Sequence, residues 1–179
     1  MDIVVEPDPS DPRRGEIRWP GGRARCALGR GGVILEAAKR EGDGATPAGR
    51  FPLRRLLWRA DREPAPATRL AARAIAPTDG WCDDPARPEY NRPVTFPAYA
   101  SGTAEKMWRD DHLYDFVVVL GHNDDPPTPG KGSAIFLHVA KPGFAPTEGC
   151  VAMAKKDLTA LLARVGPEDV LAVRMPGDR

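Results

Sequence analysis

Cysteine and histidine are scarce in this chain: three of each in 179 residues. Cys26, Cys82 and Cys150 are odd in number and far apart, and no CxxC pair occurs. This excludes a disulfide framework and the common cysteine zinc site, and it fits a protein that works with reduced thiols. Charge of one sign is not in excess either. Lys and Arg total 26 against 25 for Asp and Glu, a net charge of +1, and no long basic block occurs. No nucleic-acid partner is therefore expected. Long hydrophobic runs are missing: stretches such as Phe116–Leu120 are far too short to span a bilayer. The start, Met1-Asp-Ile-Val-Val-Glu-Pro-Asp-Pro, has no basic region, apolar segment or small-residue cleavage site of an export signal. The sequence as it stands predicts a cytoplasmic protein, or a periplasmic one if residues precede Met1.

Two ligand classes lose support in the same way. The glycine-rich stretch at 42–49 lacks the Gly-Lys-Ser/Thr ending of a phosphate loop. His122-Asn123-Asp124-Asp125 contains metal-ligating residue types but none of the HxxxH, HExxH or DxDxDG spacings. No metal and no cofactor is expected.

Proline and glycine are abundant, at 20 and 18 residues, and are spread through apolar segments. Many turns and few long helices follow, which favours a mainly β architecture with one or two short helices. The length suits a single domain over residues 1–179, large enough to bury a core without covalent staples. Short apolar or β-branched runs predict strands at 3–5, stopped by Pro7 and Pro9, and at 16–19, 23–28, 51–58, 71–76, 114–120, 133–139 and 170–175. Pro20-Gly21-Gly22 reads as a hairpin turn, residues 29–32 as a second turn, and residues 42–49 as a tight loop. Residues 79–92 read as a loop rich in aromatics and acids. Residues 101–109 read as a short helix capped by Ser101. The clearest helix is 155–165, where Leu158, Leu161, Leu162 and Val165 share one face, closed by Gly166 and Pro167.

The chemistry concentrates in residues 138–152. Strand period places Ala134, Phe136 and His138 on one face and Ile135, Leu137 and Val139 on the other. Eleven residues of Pro/Gly-rich loop then lead to Gly149-Cys150. Such a loop brings the imidazole and the thiol within reach. A histidine that accepts the thiol proton makes cysteine a nucleophile at neutral pH. Gly149 leaves room for a substrate carbonyl, and the N–H groups of Gly149 and Cys150 are candidate oxyanion donors. Composition and spacing alone leave a buried structural cysteine and a satisfied core histidine equally open.

His138 to Val151, with Thr147-Glu148-Gly149-Cys150-Val151, resembles the histidine–loop–Ser/Thr-x-Gly-Cys pattern of the L,D-transpeptidase catalytic domain, the YkuD family. Thr46-Pro47-Ala48-Gly49-Arg50-Phe51 is similar to the family's upstream Thr-Pro-x-Gly-x-Phe element. Asp79-Gly80-Trp81-Cys82-Asp83-Asp84-Pro85, Tyr90-Asn91 and Gly132 to His138 resemble a bacterial subgroup. The likeness is strongest over residues 26–173. It implies a β-sandwich or barrel domain that acts on peptidoglycan stem peptides or muropeptides. Cys150 would form a thioester at the third-position diamino acid, the fourth-position D-residue would leave, and an amine of a second stem would resolve the intermediate. His138 would be the base. The family's cysteine also accepts carbapenems.

Two features depart from the common pattern. Glu148 stands where histidine is usual, and Ala152 where Arg or Asn is frequent. With the bare N-terminus, they raise water as the alternative acceptor, which would make the enzyme an L,D-carboxypeptidase trimming tetrapeptides in the cytoplasm. A reading of another class is an inactive peptidoglycan-binding module.

Further candidates for substrate contact are Trp81, Asp83, Tyr90, Asn91, Asn123, Ser133, Thr147 and Glu148. The alternative for Trp81 to Asn91 is a loop pinned by its own turns around a half-buried tryptophan. Ser133 either bonds near the site or merely begins a strand, and Asn123 orients substrate or loop. Cys82 and Cys26 read as small buried hydrophobes and His112 as solvent-facing. A backbone carbonyl is the expected partner that orients His138, its identity not given by sequence.

Overall fold

The computed structural model describes residues 1–99 and 103–178. Its strands are β1 (Asp2–Asp8), β2 (Asp11–Trp19), β3 (Gly22–Ala27), β4 (Val33–Leu35), β5 (Thr46–Trp58), β6 (Ala72–Ala74) and β7 (Asp79–Cys82). They continue with β8 (Pro93–Thr95), β9 (Ala104–Lys106), β10 (Phe116–Leu120), β11 (Phe136–Val139), β12 (Val151–Met153) and β13 (Val170–Val173). One α-helix, α1 (Lys155–Leu162), occurs among the described residues. The fold is mainly β, as composition implied.

Hydrogen bonding runs β10-β11-β12-β3-β2-β1-β13-β5, and β5 pairs back to β10, so eight strands close into a barrel-like ring. β4 and β6 are appended to β5, and β8-β7-β9 form a separate small sheet. Closure removes the free edges that an open sheet exposes.

β10 and β11 explain where the site sits. Every residue of both strands is buried, because both faces are covered. Phe116, Val118, Leu120, Ile135, Leu137 and Val139 join the large core inside the ring, together with Leu158, Leu161, Leu162 and Val165 from α1 and the turn after it. Val117, Val119 and Phe136 face the other way, into a second cluster with Trp81 of β7, Met107, Tyr114 and Cys150. The strand expected over 133–139 begins only at Phe136, because Ala134 takes a left-handed backbone, and from there the predicted alternation separates two cores. The catalytic candidates fall in the one between the ring and the small sheet.

Several elements differ from expectation. β1 runs through Pro7 rather than stopping there. Its pairing with β13 ends at Val5, so the N–H that Pro7 lacks is not needed, and a register shift follows at Pro7/Asp8. β5 starts at Thr46, inside the predicted loop, because Thr46 to Ala48 pair with β4. Residues 79–82 are a strand, paired to β8 and β9. Residues 104–106 are a strand instead of helix: three residues with helix propensity are overridden by pairing to β7. Ser101, the proposed cap, lies outside the described residues.

Candidate active site

β11 and β12 run parallel, with Leu137 level with Val151 and His138 with Ala152. Cys150 immediately precedes β12, level with Phe136, so its side chain emerges on the same face as Phe136 and His138. Both candidates line a cavity of about 410 Å³, walled also by Glu41, Asp83, Glu105 and Tyr114.

Each is fixed by backbone. His138 Nδ1 lies 2.9 Å from the Val139 carbonyl oxygen. A carbonyl only accepts, so Nδ1 carries the proton and Nε2 keeps its lone pair, the tautomer a base requires. The Tyr114 ring packs edge-on against the imidazole at 5.4 Å between centroids. The Cys150 thiol donates to the Ala134 carbonyl at 3.2 Å, while the Phe136 N–H donates to Sγ at 3.4 Å. Burial dominates the electrostatics of both groups. It pushes the Cys150 thiol up to about 12, with Glu105 adding to the effect, and draws His138 down to about 4. The resting pair is a neutral thiol and a neutral imidazole.

The loop before Cys150 is braced by Thr147. Its hydroxyl accepts the Gly149 N–H at 3.1 Å and donates to the Cys150 carbonyl at 2.6 Å. Its backbone bridges to Leu28 and Arg30. The Gly149 N–H, an expected oxyanion donor, is therefore committed to Thr147. Gly149 suits this position better than any residue with a side chain. Its φ is +133° and a Cβ there would sit 3.0 Å from the Ala45 carbonyl oxygen. The Thr-Pro-x-Gly element lies beneath: Thr46 Oγ1 accepts the Gly29 N–H at 2.8 Å, and Gly29 bridges to Thr147.

The remaining candidates divide into two groups. Asp83, Ser133, Thr147 and Glu148 line the cavity. Ser133 Oγ donates to Glu41 at 2.7 Å, and exposed Glu148 accepts from Arg30 at 2.7 Å. Trp81, Tyr90 and Asn91 are buried behind the cavity wall. Trp81 Nε1 donates to Asn91, and the Tyr90 hydroxyl donates to Glu41. Asn123 bonds Thr128 and Gly132 and so organises its own loop. Cys82 and Cys26 are buried free thiols, and the His112 side chain is exposed. His122, by contrast, is buried between Glu36 and the Lys131 carbonyl.

Sequence reasoning missed Glu41, Glu105, Arg109, Tyr114 and Lys141 as cavity residues. Glu105 is held above the usual carboxylate range by burial, opposed by the Tyr114 hydroxyl and Arg109. A single Glu in a predicted helix carries no signal of this kind; only the β7–β9 pairing places it opposite Trp81. Among the described residues, no group of three or more His, Cys, Asp or Glu is placed to hold a metal ion, and no helix is long and apolar enough to cross a membrane.

The family model described as the L,D-transpeptidase catalytic domain (YkuD) matches residues 11–173. The chain belongs to that family. Its members' activity is of the L,D-transpeptidase type, directed at peptidoglycan, and the mainly β ring with its second small sheet agrees with the family fold. No curated protein and no solved structure matches the chain.

Proposed function

We propose that the protein is a cysteine acyltransferase that takes peptidoglycan stem peptides as acyl donors through a Cys150 thioester. One observation carries this reading: Cys150 and His138 line a single cavity, with His138 held in the tautomer that leaves Nε2 as base. The thiol hydrogen, which rests on the Ala134 carbonyl, swings to His138 Nε2 as Sγ attacks the carbonyl carbon of the third residue. The C–N bond to the fourth residue breaks, and the imidazolium returns its proton to the leaving amine. An acceptor amine or water then attacks the thioester, His138 takes a proton from it, and the C–S bond breaks to regenerate the thiol. With Gly149 committed to Thr147, the Cys150 N–H is the motif's remaining oxyanion candidate. Glu41, Asp83 and Glu105 line the cavity beside Arg109 and Lys141, so carboxylates stand ready there for the free ammonium of a diamino acid.

Water is favoured as a second acceptor by Glu148. It presents an ion pair with Arg30, not the histidine common at this position, to an incoming peptide. Incubation with a disaccharide-tetrapeptide and mass spectrometry separates the outcomes. Cross-linked dimers indicate transfer, and tripeptide without dimers indicates an L,D-carboxypeptidase. Neither product from folded protein, together with no carbapenem adduct on Cys150, would leave the inactive binding module. Cys150→Ala abolishes product and adduct; turnover surviving that change would end the thioester mechanism.

A further inference from the structure

Asn91 lies outside the cavity, yet its side chain is saturated. Oδ1 accepts from Trp81 Nε1 at 2.9 Å and from the Ala134 N–H at 3.0 Å. Nδ2 donates to the His122 carbonyl at 3.1 Å and the Asn123 carbonyl at 2.7 Å. A flipped amide would set donors against donors and acceptors against acceptors at all four contacts, so its orientation is fixed. The residue is 4 % exposed, where an unmade hydrogen bond is costly.

What Asn91 holds is unusual. Ala134 sits at φ +52°, a left-handed conformation that non-glycine residues adopt at a cost. The carbonyl of that same Ala134 receives the Cys150 thiol, and two residues on, Phe136 N–H donates to Sγ. Segment 134–136 therefore cradles the sulfur from two sides, and its entry is pinned by Asn91. Trp81 braces the amide from behind, with its ring edge-on to Phe136 at 5.1 Å.

We infer that Asn91 is a positioning residue for the Cys150 nucleophile, acting through the left-handed Ala134 rather than by touching substrate. The inference rests on Cys150 being the nucleophile. Without the amide, Ala134 relaxes toward ordinary backbone, its carbonyl leaves the thiol, and water reaches the sulfur. The thiol then ionises more easily while its aim at the substrate is lost.

Two readouts on Asn91→Ala test this. The first is the pH profile of Cys150 alkylation by iodoacetamide, which needs no substrate. The second is turnover of the disaccharide-tetrapeptide. The alkylation inflection is expected to move down from the raised value toward that of an ordinary thiol, while kcat falls about tenfold to 100-fold with KM little changed. Unfolded protein would also show an ordinary thiol and no turnover, so both readouts are taken on protein shown folded by circular dichroism, with kcat counted per folded molecule. Adding Ala134→Gly, a residue that takes positive φ freely, restores much of kcat in the Asn91→Ala background. If Asn91→Ala does not fold, Asn91→Ser, whose hydroxyl is too short to reach the same partners, gives the same pair of readouts. An unmoved alkylation profile, or a kcat loss matched by the loss of folded protein, overturns the inference. A wild-type protein that alkylates normally at Cys150 but makes no product refutes the proposed function instead, and leaves the alkylation shift to decide the role of Asn91.

Discussion

At His138, the proposed base, burial sets the expected behaviour with pH. Burial lowers its pKa to about 4, so the neutral base persists well into acid. Turnover should hold from neutral pH down to about 4 before an acid limb appears, rather than failing near the ordinary 6.5. The same shift is a stability term. The folded state binds this proton less tightly than the unfolded chain, so the contribution is complete above about 6.5 and is lost as pH falls through about 4. Urea midpoints for wild type and His138→Gln across that window are expected to converge at the acid end, by a few kcal/mol at most. Parallel curves would contradict the assigned burial effect. Cys150 has the opposite sign: its raised pKa contributes stability below the ordinary 9.0, and this is lost as pH rises toward about 12.

Among the elements, the Thr147-to-Cys150 loop places a structural demand next to the thiol. Gly149→Ala combines an unfavourable positive φ with a Cβ against the Ala45 carbonyl. It is expected to cost about 1–3 kcal/mol and to slow carbapenem acylation of Cys150, measured by thermal denaturation and intact-protein mass spectrometry. Full stability and full acylation would show that the loop relaxes freely. The same scale shows what the residues made legible. The hairpin around Pro20-Gly21-Gly22 and the apolar face of α1 declare themselves by local turn chemistry and period. β9 does not, because three residues hold too little propensity to outweigh their pairing with β7. β7 was hidden for a related reason: Asp79-Gly80-Trp81-Cys82 reads as turn chemistry until its neighbours supply the ladder.

At the scale of the whole molecule, closure of the ring sets stability, and the site lies outside it. Ile3 is fully buried on β1, between β2 and β13. Ile3→Ala is expected to cost about 2–5 kcal/mol in urea denaturation. Alkylation of Cys150 well below the transition should be unchanged, because the sulfur belongs to the other cluster. A large change in alkylation rate would show that the two cores are mechanically coupled.

The sequence by itself determined the family motif that holds His138 and Cys150, the face on which His138 stands and the β-rich class, because motif spacing, strand period and turn composition are local properties. Only the tertiary structure decided that Val139 orients His138, that Glu41 and Glu105 join the wall, and that the Asn91 amide bonds Trp81 and three backbone groups. The Val139 contact joins chain neighbours, but the side-chain orientation that makes it comes with burial; the other two depend on segments far apart in sequence meeting, and long-range packing leaves no periodic trace in the residues it brings together.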